Sequence, residues 1–150
     1  MKLALGTAQF GLDYGINNSK GKRSKVEIFE MLQYAFDHNI KLLDTAEAYG
    51  SSTEVIGEFH ENTQITFGVI NKFSGSNDVK ALLKKSLKEM HLSYFQVFMF
   101  HKFDEIKDVV LLATVVELRK AGTIRLIGVS VYSNAQFEEV IFMKEVDIIQ

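Results

Sequence analysis

Two side chains that can exchange a proton stand five positions apart, directly after an apolar run. Asp44 follows Ile40 to Leu43, and Tyr49 lies in the short segment that comes next. A strand that ends at an Asp and leads into a tight loop with a Tyr suits acid–base chemistry. Because a phenol is a weak acid near neutral pH, it needs a nearby cation and partial exclusion from water. Taken alone, the same stretch also predicts an ordinary strand and turn, followed by a helix capped by Ser51 or Ser52.

Two further predicted strands end at ionisable side chains, Lys72 and His101. In a (β/α) barrel, the carboxyl ends of the strands form the rim where active sites lie. Lys72 beside Tyr49 would supply the cation, and Asp44 would hold the ammonium group. His101 would orient a substrate carbonyl or help to pass the proton. Together the four residues predict carbonyl reduction or its reverse, whereas each one alone also suits a turn, a solvated loop or a backbone contact.

Apolar runs alternate with segments of helical periodicity along the whole chain. The runs are continuous, which indicates strands buried on both faces and hence a parallel sheet covered by helices. A doubly wound sheet and a (β/α) barrel both fit this order. No GxGxxG follows the first run, so the dinucleotide-binding form of the doubly wound fold has little support. Strands are predicted over Leu3–Thr7, Ile40–Leu43, Gln64–Asn71, Tyr94–Phe100, Thr123–Val131 and Val146–Ile149.

The helices are predicted from capping residues and from apolar spacing. Ser24 followed by Glu27 is the pattern of a capping box, and Asn134 is predicted to cap the last helix. Gly122 is typical of a residue that closes a helix. The predicted helices run from Ser24 to Asn39, from Ser52 to Phe59, from Asn77 or Asp78 to Met90, from Asp104 to Ala121, and from Asn134 to Lys144.

Length, charge and cysteine content limit the classes of protein that fit. The chain has 150 residues, 47% of them hydrophobic, and a formal net charge of −2, which suits one domain with a core. The near-neutral balance favours neither nucleic acid nor a membrane as partner. The chain has no Cys, hence no disulfide and no thiolate metal site. With no signal-peptide pattern and no apolar run near the roughly 20 residues of a membrane helix, a soluble, cytoplasmic protein is expected.

Other notable side chains have structural interpretations. His38, His60 and His91 lack metal-ligand spacing and are predicted at the surface or at helix ends, so no metal is expected. The stretch from Phe95 to Phe103 is predicted to be core and not a stacking platform. The loop from Asp13 to Lys25 is either a flap on the substrate side or a mobile loop. A basic helix face, predicted to be solvated and not a membrane or nucleic-acid contact, consists of Lys80, Lys84, Lys85 and Lys88.

Three stretches of the chain, Asp44 to Gly57, Ser86 to His101 and Val116 to Ser130, together resemble the aldo-keto reductases. Asp44-Thr45-Ala46-x-x-Tyr49-Gly50, with Glu54 and Gly57 after it, is similar to the signature that follows the family's second strand. Ser86-Leu87-Lys88, followed by Leu92 and Tyr94 and then by Phe98 to His101, is similar to the approach to the fourth strand. Val116 to Ser130 is similar, almost residue for residue, to the stretch that enters the fifth strand.

The resemblance implies a TIM barrel that reduces an aldehyde or ketone, a small-molecule carbonyl substrate. It implies NADPH as the hydride donor, bound extended and without a Rossmann motif. The catalytic tetrad would be Asp44, Tyr49, Lys72 and His101, with Tyr49 as the general acid. The residues that would line the nicotinamide end are Gly6, Thr7, Asp44, Ser130 and Gln150.

The sequence departs from the family at several positions. Val131 stands where the family often has an Asn that holds the carboxamide, so those contacts would rest on Ser130 and Gln150. Lys102 follows His101 where the family commonly has Arg.

The length is the largest departure from the family. A TIM barrel takes about 250 residues, and this chain ends at its predicted sixth strand. We therefore expect one truncated domain over residues 1–150, with about six of eight βα units and open sheet edges that favour self-association. The alternative is a catalytically inactive barrel fragment that acts as an oligomeric fold or binding module. A lyase or isomerase of the same architecture would need a metal or phosphate site, for which the sequence shows no motif.

Overall fold

Six parallel strands form one curved sheet in the computed structural model of the protein, which describes residues 3–16, 18–19, 21–75 and 78–150. Each strand pairs with its neighbours in the sequence, so that the spatial order is the chain order. This arrangement, with helices between the strands, is an incomplete parallel (β/α) barrel, and the predicted fold is confirmed. The strands are β1 (Leu5–Gly6), β2 (Leu42–Ala46), β3 (Gly68–Phe73), β4 (Phe95–Phe100), β5 (Ile124–Val129) and β6 (Ile148–Ile149).

Four of the six described α-helices begin at a side chain that satisfies free backbone N–H groups. Ser24 and Glu27 form a complete capping box at the second helix. Asp78 accepts from the N–H of Ala81, and Asp108 accepts from the N–H of Val110 and Leu111. The helices are α1 (Ala8–Gly11), α2 (Lys25–Asp37), α3 (Ser52–Asn62), α4 (Val79–Glu89), α5 (Val109–Lys120) and α6 (Asn134–Val140), with a 3₁₀ helix over Phe103–Lys107.

The core lies between the sheet and its helices and is rich in phenylalanine. The rings of Phe73 and Phe98 stack with their centroids 4.3 Å apart, and Phe100 lies 4.8 Å from Phe73. All three side chains have no exposed surface, and Phe95 and Phe103 are also buried. The prediction that the stretch from Phe95 to Phe103 is core is therefore confirmed.

The concave side of the sheet carries the polar residues of the predicted site. β2 extends through Ala46 and β3 through Phe73, so Asp44 and Lys72 lie within their strands. The sequence predicted that the two strands end at Asp44 and Lys72, because the apolar runs stop there. The ladder continues past those runs, with Ala46 opposite Lys72. His101 directly follows β4, as predicted.

Two helix predictions are wrong in detail. The helix predicted from Asp104 to Ala121 is a 3₁₀ helix followed by α5, because the Asp108 side chain caps a new helix start. The last helix is capped by Ser133, whose hydroxyl accepts from the Gln136 N–H, and it ends at Val140 instead of Lys144. Of the two predicted starts of α4, Asp78 is the observed cap, and Asn77 lies outside the described residues.

The basic helix face is exposed as predicted, and one of the histidines lies at a helix end but is buried. All four lysines of the basic face are exposed. His60, predicted at the surface or at a helix end, lies in the last turn of α3 but is buried, with 7% of its surface exposed. Its two ring nitrogens are both bonded to backbone, which explains how a polar ring is accommodated there.

Candidate active site

The ammonium group of Lys72 lies at the centre of the site. It is paired with and donates to Asp44 Oδ1, and it donates a second hydrogen bond to Gln150 Oε1 over 3.1 Å. The amide of Gln150 donates in turn to Asp44 Oδ2 over 2.8 Å. Only 4% of the Lys72 side chain is exposed, so the ammonium group has little contact with water, and Asp44 balances its charge. An unpaired charge at this depth would be strongly unfavourable.

Tyr49 and His101 lie beside this ion pair. The Nζ atom of Lys72 is 5.5 Å from the centroid of the Tyr49 ring, within the range of a cation–π contact. The rings of Tyr49 and His101 meet edge to face, with 6.3 Å between their centroids. The structure thus brings together the four residues that the sequence singled out from three strands and one loop.

Buried hydroxyl groups hold the strand that carries Asp44. Thr7 donates to the Asp44 carbonyl through its N–H over 3.0 Å and through its hydroxyl over 3.1 Å. The Ser52 hydroxyl donates to Thr7 Oγ1 over 2.9 Å. Ser52, predicted as a cap for α3, therefore ties the start of that helix to the end of β1, and Ser51 is the N-cap by position.

Two glycines allow the Tyr49 loop to approach α1. A Cβ atom at Gly11 would lie 1.8 Å from the carbonyl oxygen of Tyr49. Gly50 has a φ of +57°, and a Cβ atom there would lie 2.6 Å from the Gly11 oxygen. Both positions favour glycine because a side chain would push the loop away from α1, and Gly50 also needs the left-handed conformation.

The surroundings of His101 favour the neutral form of its ring. Burial is the main cause that lowers its pKa below the ordinary value of 6.5, and the positive charge of Lys72 acts in the same direction. Glu105 and Asp44 raise the pKa, but their effect is smaller. A neutral imidazole can donate a hydrogen bond from one ring nitrogen and accept one at the other.

A cleft of about 290 Å³ opens beside Asp44 and Tyr49. Gly6 and Thr7, predicted to line the nicotinamide end, both border it. A Cβ atom at Gly6 would meet no atom within 4 Å, so the cleft is open at that point. Gln150 is joined to the site through its two bonds to Asp44 and Lys72.

Ser130 is placed differently from the other predicted cofactor residues. Its hydroxyl lies 3.7 Å from the Met99 sulfur, and its N–H donates to the Phe100 carbonyl over 2.9 Å. In the described part of the chain, no hydrogen bond joins Ser130 to Asp44, Tyr49 or Lys72.

Sequence reasoning missed two groups of residues near the site. Tyr14, in the loop predicted as a flap or mobile segment, borders the cleft, and its carbonyl accepts from the Gln9 amide over 2.9 Å. Within that loop, Asn17 and Lys20 lie outside the described residues. The second group surrounds Glu47, which the sequence placed between Asp44 and Tyr49 without a role; Asn71 and Ser86 both bond to its carboxylate.

Metal and membrane signals are lacking in the part of the chain that the structure describes. Over residues 3–16, 18–19, 21–75 and 78–150, no three His, Asp or Glu side chains are placed to hold a metal ion together. Within the same ranges, no helix has the length and apolar character to cross a membrane.

The chain belongs to the aldo/keto reductase family, whose model matches residues 2–150. It is 29% identical over 126 residues to the aldo-keto reductase YhdN of Bacillus subtilis, a match that covers 73% of this chain. The fold is similar to that of an aldo-keto reductase from Bacillus halodurans in its holo form, with a TM-score of 0.73, 18% identity and 99% of this chain covered. It is also similar to an aldo/keto reductase from Klebsiella pneumoniae in complex with NADP and acetate, with a TM-score of 0.71, 19% identity and 93% covered.

The chain is much shorter than these relatives. The matches cover 38% of YhdN, 53% of the Bacillus halodurans structure and 49% of the Klebsiella pneumoniae structure. The similarity to the structures concerns the fold.

Proposed function

We propose that the protein is an oxidoreductase that reduces an aldehyde or ketone with hydride from NADPH. One observation carries the proposal: a buried Lys72, paired with Asp44, faces the ring of Tyr49, and His101 meets the same ring at its edge. A phenol with a cation and an imidazole beside its ring forms a proton-donating site for a carbonyl oxygen.

In this proposal, Tyr49 donates the proton to the carbonyl oxygen. As the proton leaves, the ammonium of Lys72 balances the negative charge that develops on the phenolic oxygen. Asp44 fixes that ammonium in place through the ion pair. The neutral His101 orients the carbonyl by a hydrogen bond from its ring N–H.

NADPH would supply the hydride. Support for its nicotinamide end comes from the cleft of about 290 Å³, which has room for a ring of that size next to Asp44 and Tyr49. The open space beside Gly6 and the primary amide of Gln150 suit a planar carboxamide that both donates and accepts hydrogen bonds. The Klebsiella pneumoniae relative, which is a complex with NADP, is consistent with this choice of cofactor.

A second candidate is a catalytically inactive barrel fragment that serves as an oligomeric fold or binding module. This candidate concerns residues 1–150 taken by themselves, which cover 38% of YhdN and about half of the two similar structures. Self-association through the sheet edges is expected for both candidate functions. The cytoplasmic location expected from the sequence stays a prediction.

The deciding experiment is a titration of NADPH into the 150-residue chain, followed by nicotinamide fluorescence and accompanied by aldehyde turnover and solution mass. Saturable binding with turnover supports the reductase. Absence of binding in a folded sample contradicts the reductase and supports the inactive fragment.

The variant Tyr49→Phe tests the role of the phenol. It removes one hydroxyl and keeps the ring beside Lys72, so NADPH affinity is expected to stay nearly unchanged while turnover falls by about 10²-fold or more. The measurement is steady-state reduction of an aldehyde next to the same fluorescence titration. Unchanged turnover in this variant would show that Tyr49 is not the acid.

A further inference from the structure

A polar cluster outside the four predicted catalytic residues lies behind the loop that carries Tyr49. Glu47 belongs to this loop, and its Oε1 atom accepts from the Asn71 amide and from the Ser86 hydroxyl, each over 2.6 Å. Asn71 stands on β3 and Ser86 on α4, and neither has any exposed surface. The Glu47 N–H also donates to the carbonyl of Lys72 over 2.9 Å. One residue of the loop is thus bonded to a strand and to a helix.

We propose that Glu47 is a positioning residue that fixes Tyr49 against Lys72 and His101 by anchoring the β2–α3 loop to β3 and α4. The inference rests on the proposed function, because positioning matters only if Tyr49 acts on a substrate. Glu47 acts through the loop and does not itself border the cleft.

The chemistry of the cluster argues against a purely incidental contact. The ion pairs of the described residues do not include Glu47, so its carboxylate is held by two neutral donors, while its backbone N–H donates to the Lys72 carbonyl. Asn71 points its amide N–H groups at Glu47 while its Oδ1 atom is buried without a hydrogen-bond partner. A buried oxygen without a hydrogen-bond partner is unfavourable. The bond to Glu47 therefore sets the orientation of the Asn71 amide, although it leaves the amide oxygen without a partner.

The same contacts connect the two halves of the site. Asn71 directly precedes Lys72 on β3, and its side chain points to the opposite face of the sheet. Glu47 therefore joins the backbone that carries the cation to the loop that carries the phenol. The distance of 5.5 Å between Lys72 Nζ and the Tyr49 ring depends on this connection.

Three variants separate positioning from general stability. Glu47→Ala removes both side-chain bonds. Glu47→Gln keeps an Oε1 atom that can accept both of them. The matched control is Thr53→Val, which removes a different bond to α4. This bond runs from Thr53 Oγ1 on α3 to Glu89 Oε2 over 3.0 Å and does not involve the Tyr49 loop.

The first measurement does not depend on activity. The chain is labelled with 3-fluorotyrosine, and the Tyr49 signal is assigned by its loss in Tyr49→Phe. In Glu47→Ala the fluorine resonance of Tyr49 is expected to shift or broaden, whereas in Glu47→Gln and Thr53→Val it is expected to stay in place. An unmoved signal in Glu47→Ala, or an equal movement in Thr53→Val, overturns the inference.

The second measurement is steady-state reduction of 4-nitrobenzaldehyde by NADPH. Since a displacement of about 1 Å of a reacting group can cost about 10²-fold, kcat is expected to fall by that order in Glu47→Ala with KM little changed. Glu47→Gln is expected to restore kcat. A rise in KM at unchanged kcat overturns the inference.

The two measurements keep the inference and the proposed function apart. If the Tyr49 resonance moves as expected but the unmodified chain shows no turnover, the positioning contact is supported and the reductase proposal fails. If the unmodified chain turns over and Glu47→Ala changes neither the resonance nor kcat, the reductase stands and the inference is overturned.

Discussion

The ion pair between Lys72 and Asp44 makes each side chain dependent on the other. Replacing Lys72 with Met would leave the Asp44 carboxylate, whose side chain is 18% exposed, without its cation. Loss of one partner from a buried pair is expected to lower the free energy of unfolding by about 3 kcal/mol, as measured by urea denaturation. The double variant that adds Asp44→Asn removes the orphaned charge and is expected to recover much of that loss. A stability of Lys72→Met equal to that of the unmodified chain would contradict this account.

His60 illustrates a buried polar residue whose protonation state is fixed by its neighbours. Its Nδ1 atom lies 2.8 Å from the Met90 carbonyl, and its Nε2 atom accepts from the Phe67 N–H over 3.2 Å. Only a neutral ring with its proton on Nδ1 satisfies both contacts. Burial, the main cause, accordingly lowers the pKa of His60 from its ordinary value of 6.5.

This lowered pKa predicts a loss of stability in mild acid. Below pH 6.5 the unfolded chain takes up a proton at His60 that the folded chain resists. The contribution of His60 to the free energy of unfolding is therefore fully present above pH 6.5. It is lost as the pH drops below 6.5, by up to about 1.4 kcal/mol per pH unit for one such group. His60→Gln is expected to flatten the decline measured by urea unfolding between pH 8 and pH 5. In His60→Gln, part of the decline of the free energy of unfolding with falling pH remains, because the pKa of His101 is also lowered.

The exposed His38 provides the control for that experiment. His38→Gln is expected to leave the acid-dependent decline of the unmodified chain unchanged. An unchanged slope in His60→Gln would mean that His60 does not resist protonation in the folded state.

At the scale of helices and strands, the pattern of apolar residues predicted which elements exist better than where they end. Strand ends are set by pairing with the next strand, and this is why Asp44 and Lys72 lie inside β2 and β3. Four of the helix starts described are set by individual side chains that accept backbone N–H groups. Asp108 therefore divides a stretch in which apolar spacing alone predicts one continuous helix.

The candidate site shows the same limit. The four catalytic candidates were predictable because their residue types and their places after apolar runs are visible in the sequence. The Glu47 contacts join positions 24 and 39 residues apart in the chain, which only the packing of β3 and α4 brings together.

The start of α6 offers a direct test of a capping residue. The sequence favoured Asn134, whereas the Ser133 hydroxyl accepts from the Gln136 N–H over 3.3 Å in the structure. Ser133→Ala is expected to lower the free energy of unfolding by about 1 kcal/mol. The neighbouring Asn134→Ala is expected to change it little, because that side chain does not cap the helix. Thermal or urea unfolding of the two variants distinguishes them, and the reverse ranking would restore the sequence-based assignment.

At the scale of the whole molecule, the strand order leaves β1 and β6 each with one neighbour among the described strands. Apolar side chains are exposed on the helices beside both edges. On α2 these include Val26 and Tyr34, exposed by 69% and 65%, and in the segment from α6 to β6 they include Phe142, exposed by 81%. Unpaired strand edges next to apolar surface favour pairing with a second copy.

Self-association through these edges is therefore expected to depend on concentration and on the edge residues. The mass measured by light scattering after size exclusion should rise with concentration for the unmodified chain and rise less for Phe142→Ser. Val110→Ser is the matched control, because Val110 is 76% exposed on α5, away from both edges. A monomer at all concentrations, or an equal effect of the two substitutions, would contradict association through the β6 edge.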